Sequence, residues 1–329
     1  MIAFIFPGQG SQKAGMGKAL ADAFPVCRRT FDEADAALGE PLSRVIFEGP
    51  DEALTLTQNA QPAILAVSIA ACRELESRGF APAFVAGHSL GEYSANVAAG
   101  TLAFADALRL VRRRGQYMQE AVPVGEGAMA AIIGLDADAV AQACAEAAQG
   151  QVVSPANLNG GGQVVIAGTA AAVARAGAAA KALGARRVIP LAVSAPFHCA
   201  LMQPAQDRLA PVLRALHTSA PAVPIVANVD AEPKRAAAAA VEALVEQVSS
   251  PVRWEAVVTR LAFEGVTTYV EVGPGAVLSG LVRKIHREST VVTFGSPDDL
   301  PAVEKAFARL EASRPGGAAG ARSQAVRTP

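Results

Sequence analysis

The chain reads as an α/β protein, with a mainly parallel sheet core and an inserted ferredoxin-like α+β subdomain. Three observations predict it. Short apolar runs such as Ile2–Phe6, Ala83–Ala86 and Thr268–Val272 alternate with longer helix-like stretches. Each of these three runs stops at a glycine-bearing turn: Pro7-Gly8, Gly87-His88-Ser89-Leu90-Gly91 and Gly273-Pro274-Gly275. Between them, from about residue 125 to 193, the elements fall in the order β-α-β-β-α-β.

Taken in order, the opening strand ends at Phe6, and helical patterns follow over about Gly15–Ala37 and Gln61–Arg78, with Pro62 at the start of the second. The strand ending at Ala86 leads through the glycine turn into a helix over about Leu90–Ala99, and an amphipathic helix spans about Phe104–Glu120. The inserted unit contains a strand over Ala128–Ile133 and a helix over Ala137–Ala148. Strands over Val152–Leu158 and Gln163–Ala167 follow, joined by Asn159-Gly160-Gly161-Gly162. A helix over Thr169–Leu183 and a strand over Ala185–Val193 complete it. The larger unit then resumes. Its helices cover about Met202–Leu216, Ala236–Val248 and Trp254–Glu264, with strands over Val223–Asn228 and Thr268–Val272. The expected division is a discontinuous core over 1–124 and 194–312, a subdomain over 125–193, and a disordered Gly/Ala-rich tail over 313–329.

Composition narrows the function. With 329 residues, 51% hydrophobic and a formal net charge of −1, the chain can bury a large core but lacks the cationic excess of a nucleic-acid surface. Cys27, Cys72, Cys144 and Cys199 are far apart and show no CxxC spacing. They read as reduced, buried thiols of a cytoplasmic protein, with no metal site among them. The apolar start lacks a basic leader and meets Pro7-Gly8 at once, so it reads as a buried strand, and no run reaches the length of a membrane span. No exposed apolar repeat argues for an oligomer.

Strand, Gly-x-Ser-x-Gly and helix together form a nucleophile elbow, in which a sharp turn lifts a serine hydroxyl clear of the backbone. That makes Ser89 the candidate nucleophile. Of the four histidines, His88 is aimed away from the hydroxyl by its place in the turn. His217 and His286 lie in polar surroundings and read as solvated. His198, in the loop Ser194-Ala195-Pro196-Phe197-His198-Cys199 after a strand, is the candidate general base. No acidic residue stands in an obvious orienting position, and a backbone carbonyl can hold the imidazole tautomer instead. Of Arg112, Arg113 and Arg114, one is expected to turn inward. A buried guanidinium needs an anionic partner, and a substrate carboxylate would select a dicarboxylic acyl group. The turn Phe6-Pro7-Gly8-Gln9-Gly10-Ser11-Gln12 fails both the dinucleotide and the P-loop patterns. Backbone N–H groups around Gln9 would instead join that of Leu90 as oxyanion donors.

Five motifs then occur in order: Phe6-Pro-Gly-Gln-Gly-Ser-Gln12, Gly87-His-Ser-Leu-Gly-Glu-Tyr-Ser94, Arg113-Arg-Gly115, Pro196-Phe-His-Cys199 and Glu271-Val-Gly-Pro-Gly275. Together they resemble the malonyl-CoA:acyl carrier protein transacylase family of fatty acid and polyketide synthesis, over about residues 2 to 295. The resemblance implies a hydrolase-like core with the ferredoxin-like insertion. It also implies a ping-pong reaction that carries malonyl from coenzyme A to Ser89 and on to the phosphopantetheine thiol of acyl carrier protein. It implies His198 as base, Arg114 as the clamp on the malonyl carboxylate, and Gln9 and Leu90 as oxyanion donors. Gln247 would offer the main-chain carbonyl that orients the histidine, and Phe197 would be a ring that crowds an α-methyl branch. Malonyl-CoA and the carrier's phosphopantetheine are then substrates, and no cofactor is implied. One rival reading is a serine hydrolase built on the same elbow, which would have no use for an inward arginine; another is a non-catalytic docking or scaffold protein on the same fold, disfavoured because Ser89 and His198 are both present.

Overall fold

The computed structural model describes residues 1–193 and 195–312; the expected tail over 313–329 lies outside the described residues. Among the described residues ten strands form two sheets. In chain order they are β1 (Ile2–Phe6), β2 (Phe84–Gly87), β3 (Gly127–Ile133), β4 (Val153–Gly160), β5 (Gln163–Thr169), β6 (Arg187–Pro190), β7 (Ile225–Val226), β8 (Pro233–Lys234), β9 (Thr268–Val272) and β10 (Thr290–Phe294).

The first sheet has the order β10-β9-β1-β2-β7-β8. Every neighbouring pair is parallel except β7–β8. Strands β1, β2 and β9 are almost wholly buried, which explains their unbroken apolar runs: a parallel sheet is covered on both faces. β1 lies beside β2 with Phe6 opposite Gly87, so the glycine turn after β1 and the elbow after β2 emerge at the same carboxyl edge. Open α/β sheets place their ligands at that edge.

The second sheet, β4-β5-β3-β6, is wholly antiparallel. Its strand order is that of a ferredoxin-like unit, as the sequence predicts. Alternation along β3 shows how the unit is seated. Ala130 and Ile132 pack with Val140, Val173 and Ala176 of its own two helices, whereas Met129 and Ala131 join the main hydrophobic core.

The helices are α1 (Lys18–Ala23), α2 (Pro25–Leu38), α3 (Leu42–Glu48), α4 (Asp51–Thr55), α5 (Thr57–Ser77), α6 (Leu90–Ala98), α7 (Phe104–Glu120), α8 (Ala137–Ala148), α9 (Ala170–Ala182), α10 (Gln203–Arg214), α11 (Ala237–Glu246), α12 (Trp254–Phe263), α13 (Val277–Ile285) and α14 (Leu300–Ala312). Several differ from expectation. The stretch read as one helix over 15–37 breaks at Phe24, where Pro25 starts a new helix and lacks the N–H to continue the old one. Helix α5 starts four residues before Gln61, and Pro62 lies inside it, where burial of almost the whole segment outweighs the one lost hydrogen bond. Helices α3 and α4 are too short to show a periodic pattern, and β10 with α14 closes the sheet edge beyond the last strand read from sequence. The strands expected over 185–193 and 223–228 shrink to β6 and β7.

Candidate active site

The elbow is built by close approach. A Cβ on Gly91 would sit 1.9 Å from the Phe6 carbonyl oxygen, and one on Gly87 would lie 2.0 Å from the Gly91 carbonyl. Only glycine at both places lets α6 start this close to β1 and β2. Between them Ser89 takes φ 51° and ψ −107°, outside the regions an L-residue prefers. Strain of this kind costs about 1–3 kcal/mol and persists only where the surroundings over-determine it.

The Ser89 hydroxyl lies 2.7 Å from Nε2 of His198. His198 also has positive φ, 60°, in the loop that precedes a short 3₁₀ turn over Ala200–Met202. Its Nδ1 lies 3.0 Å from the main-chain carbonyl of Gln247, at the C-terminus of α11. A carbonyl only accepts, so Nδ1 carries the proton and Nε2 faces the serine with its lone pair. Burial, reinforced by the nearby Arg114 guanidinium, lowers the His198 pKa to about 3, so the ring is uncharged at neutral pH and its Nε2 lone pair is free to accept.

Arg114 is the inward arginine and is 1% exposed, while Arg113 is exposed and the half-buried Arg112 pairs with Glu40 and Asn59. Gly115 brings this part of α7 onto α5, since a Cβ there would lie 2.6 Å from Cα of Gln58. The Arg114 guanidinium donates to Oε1 of Gln61 at 2.8 Å, to Oε1 of Gln247 at 2.9 Å and to Ser89 Oγ at 3.3 Å. It lies 5.1 Å from the Tyr93 ring centroid. Its Nε has no hydrogen-bond partner, and among the described residues it forms no ion pair. No protein carboxylate is in direct contact: neutral oxygens hold the cation in place, and Glu92 acts on it only electrostatically and through the shared Gln247 carboxamide.

A cavity of about 680 Å³ opens over these groups, lined among others by Gln9, His88, Ser89, Met129, Phe197 and His198. Among the described residues no protein acceptor takes the backbone N–H of Gln9 or of Leu90. His88 turns away as expected, its Nε2 2.9 Å from Oδ1 of Asn159 on β4, and burial lowers its pKa. His217 is exposed. His286 departs from the solvated reading: it is half-buried, with Nδ1 3.1 Å from the Tyr269 hydroxyl. Among the described residues no group of His, Cys, Asp or Glu is placed to hold a metal ion, and no helix is long and apolar enough to cross a membrane. The four cysteines are buried and free, and burial pushes the Cys199 thiol up to about 11.

Sequence reasoning missed the side chains of Gln61, Gln247, Asn228 and Glu92. Glu92 carries one local signal, its place in Ser89-x-x-Glu92, and none of the four says in sequence what it binds across the fold.

An α/β sheet that presents a serine on such an elbow, against a buried imidazole, has the build of serine-nucleophile α/β proteins. More narrowly, residues 3–302 match the acyl transferase domain family, and the chain belongs to that family. It is 53% identical over 302 residues to the malonyl CoA-acyl carrier protein transacylase of Escherichia coli strain K12, covering 92% of this chain and 98% of the relative. It is 52% identical over 300 residues to the enzyme of the same name from Bacillus subtilis, covering 91% and 95%. Among solved structures, it matches a type II PKS acyl-carrier protein in complex with its malonyl-transacylase. The TM-score there is 0.91 at 49% identity, covering 93% of this chain and 99% of that one. The acyl carrier protein S-malonyltransferase of Vibrio cholerae gives 0.90 at 49% identity, covering 92% and 99%.

Proposed function

We propose that this chain transfers malonyl from malonyl-CoA to the phosphopantetheine thiol of an acyl carrier protein, through a malonyl ester on Ser89. The observation that carries the reading is Arg114: a buried, positively charged group without a carboxylate partner, 3.3 Å from the candidate nucleophile. In malonyl the free carboxylate is one methylene from the acyl carbon, so a serine ester would set that carboxylate against the guanidinium as a bidentate pair.

The distances among Ser89, His198 and Gln247 support the following steps. Nε2 of His198 takes the Ser89 hydroxyl proton as Oγ attacks the thioester carbonyl. The resulting oxyanion is received by the N–H groups of Gln9 and Leu90, the latter at the positive end of α6. The intermediate collapses, the carbon–sulfur bond breaks, and the coenzyme A sulfur leaves with the proton from the His198 imidazolium. The carrier's thiol then gives its proton to His198 and attacks the serine ester, and Ser89 Oγ recovers a proton as it leaves. The Gln247 carbonyl keeps the ring in the tautomer both halves need. Phe197, 8% exposed on the cavity wall, would crowd a branch at the α-carbon. The reaction draws on no cofactor beyond the two thiol carriers.

We read the two sheets as two units, a core over 1–124 and 194–312 and an inserted subdomain over 125–193, in a monomeric cytoplasmic enzyme. The test is intact-mass analysis after exposure to malonyl-CoA. A malonyl adduct is expected on the parent protein and none on Ser89→Ala. An adduct from an uncharged ester, with none from malonyl-CoA, would favour the hydrolase reading and overturn this one.

A further inference from the structure

The elbow sequence Ser89-Leu90-Gly91-Glu92 spells a capping box, the pattern in which a serine caps the third N–H of a helix while the glutamate returns to cap the serine N–H. The structure makes neither bond. Ser89 is the N-cap of α6, yet its side chain accepts no cap hydrogen bond and points to His198 instead. The Ser89 N–H goes to another residue altogether: it donates to Oδ1 of Asn228 at 2.8 Å.

Asn228 stands two residues beyond β7, the strand beside β2. Its carboxamide grips the turn twice, because Nδ2 donates to the Gly87 carbonyl at 2.7 Å while Oδ1 holds the Ser89 N–H. One planar group thus satisfies an acceptor and a donor two residues apart, and both of its ends are fixed by that demand. The glutamate that would have competed for the Ser89 N–H is diverted. Its Oε2 accepts the Asn228 backbone N–H at 3.1 Å and Nε2 of Gln247 at 2.7 Å. Gln247 Nε2 also reaches the Ser89 carbonyl at 3.0 Å, so both peptide groups flanking the strained residue are tied by distant side chains. Asn228 and Gln247 are 0% exposed and Glu92 is 1% exposed, so bulk solvent does not compete for these bonds.

We propose that Asn228 is a positioning residue for acyl transfer: its carboxamide, braced by Glu92 and Gln247, holds Ser89 out of the capping-box conformation that its own sequence favours. Without the clasp, φ of Ser89 relaxes, Oγ swings back onto the first turn of α6 and Glu92 takes the freed N–H. The nucleophile then leaves His198, and the Leu90 N–H turns away from the oxyanion position. The inference rests on the reading of Ser89 as nucleophile, but not on the identity of the acyl group.

The test compares the parent with Asn228→Ala and with the isosteric Asn228→Asp, which keeps the acceptor for Ser89 and loses the donor to Gly87. The readouts are the rate at which a small fluorophosphonate labels Ser89 in folded protein, and the single-turnover rate of malonyl-serine formation. A displacement of about 1 Å at a reacting group costs on the order of 100-fold, and that loss is expected for Asn228→Ala, with a smaller one for Asn228→Asp. The malonyl-CoA concentration for half-saturation should stay within about threefold, since Arg114 is not bonded to Asn228. Labelling at the parent rate in both variants, with only a lowered melting temperature, would make Asn228 merely structural and overturn the proposal. Should Asn228→Ala not fold, Asn228→Asp alone decides in the same way. Malonyl loading of the parent reads the functional assignment separately, because fluorophosphonate labelling needs only an activated serine.

Discussion

The two sheets of this molecule are built from similar small apolar residues, but they use them differently. In the four-stranded sheet, side chains alternate between two apolar layers, Ile132 and Ile166 facing the helices of the unit and Met129 and Val165 facing the main core. Along the stretch from β3 to β6 the only non-glycine residue with positive φ, among those described, is Gln149 at the C-terminus of α8, where left-handed geometry is routine. The six-stranded sheet carries at its edge Ser89 and His198, both with positive φ, and the buried polar groups Glu92, Arg114, Asn228 and Gln247. One region is optimised for packing. The other holds strain and buried polarity in place, and that is where chemistry can occur.

The sharpest way to break the contrast is a methyl group on each side of it. Gly91→Ala places Cβ inside the Phe6 carbonyl, so the elbow cannot close and acyl-enzyme formation should be lost in a mass assay. Gly184→Ala, with φ +98° and open space around it, should cost about 1–3 kcal/mol of stability and leave acylation per folded molecule unchanged. If both variants load malonyl normally, the elbow geometry is not what activates the serine.

Arg114→Ala ranks next. Removing a guanidinium that pairs with a buried carboxylate costs about 3–5 kcal/mol, or on the order of 100- to several thousand-fold in malonyl transfer. Acceptance of acetyl-CoA should be spared or rise. An equal loss for the two thioesters, measured side by side, would remove Arg114 from acyl selection.

In the packing region, Ile132→Ala should lower unfolding free energy by about 2–5 kcal/mol in urea titration while acylation per folded molecule stays within about twofold. A large loss of rate in still-folded protein would show that the insertion acts on the chemistry beyond lining the cavity.

The smallest effect is in pH dependence, and it too belongs to the strained region. His198 has its folded pKa lowered from 6.5 to about 3, mainly by burial, so below 6.5 the unfolded chain takes up a proton that the fold refuses, and stability falls with pH. Glu92 has its pKa raised from 4.5 to about 7, again by burial, so between 4.5 and 7 the fold keeps a proton that the unfolded chain releases, and stability falls as pH rises. Between about pH 4.5 and 6.5 the two slopes oppose one another, and below that range His198 acts without this counterweight. Their joint contribution should be near flat in that window, and Glu92→Gln, which removes the counterweight, should gain stability relative to the parent as pH rises through it. Equal pH slopes for parent and variant would refute it. Acylation by the free enzyme should not show the fall near pH 6.5 that an ordinary histidine would impose.

Much of this was legible in the chain. The apolar runs and glycine turns located β1, β2 and β9, and the Gly-x-Ser-x-Gly after β2 picked out Ser89 before any contact was known. The β-α-β-β-α-β order foretold the second sheet, because a local alternation pattern survives in any tertiary setting. Helices α3 and α4 were not legible, being too short to repeat the helical period often enough to reveal it. Nor was the internal place of Pro62, where burial of the surrounding helix overrode a local rule.

Sequence alone determined which groups are available: a serine on a tight turn, one histidine in a loop after a strand, and three arginines in a row on one helix. These follow from neighbours along the chain, whose geometry is set by backbone sterics and periodicity. Only the tertiary structure decided that Arg114 turns inward, that a Gln247 carbonyl holds His198, and that Asn228 overrides the capping box written at Ser89. Those choices are made between residues 25 to 158 positions apart in the chain, where burial and unmet hydrogen bonds, not local propensity, set the outcome.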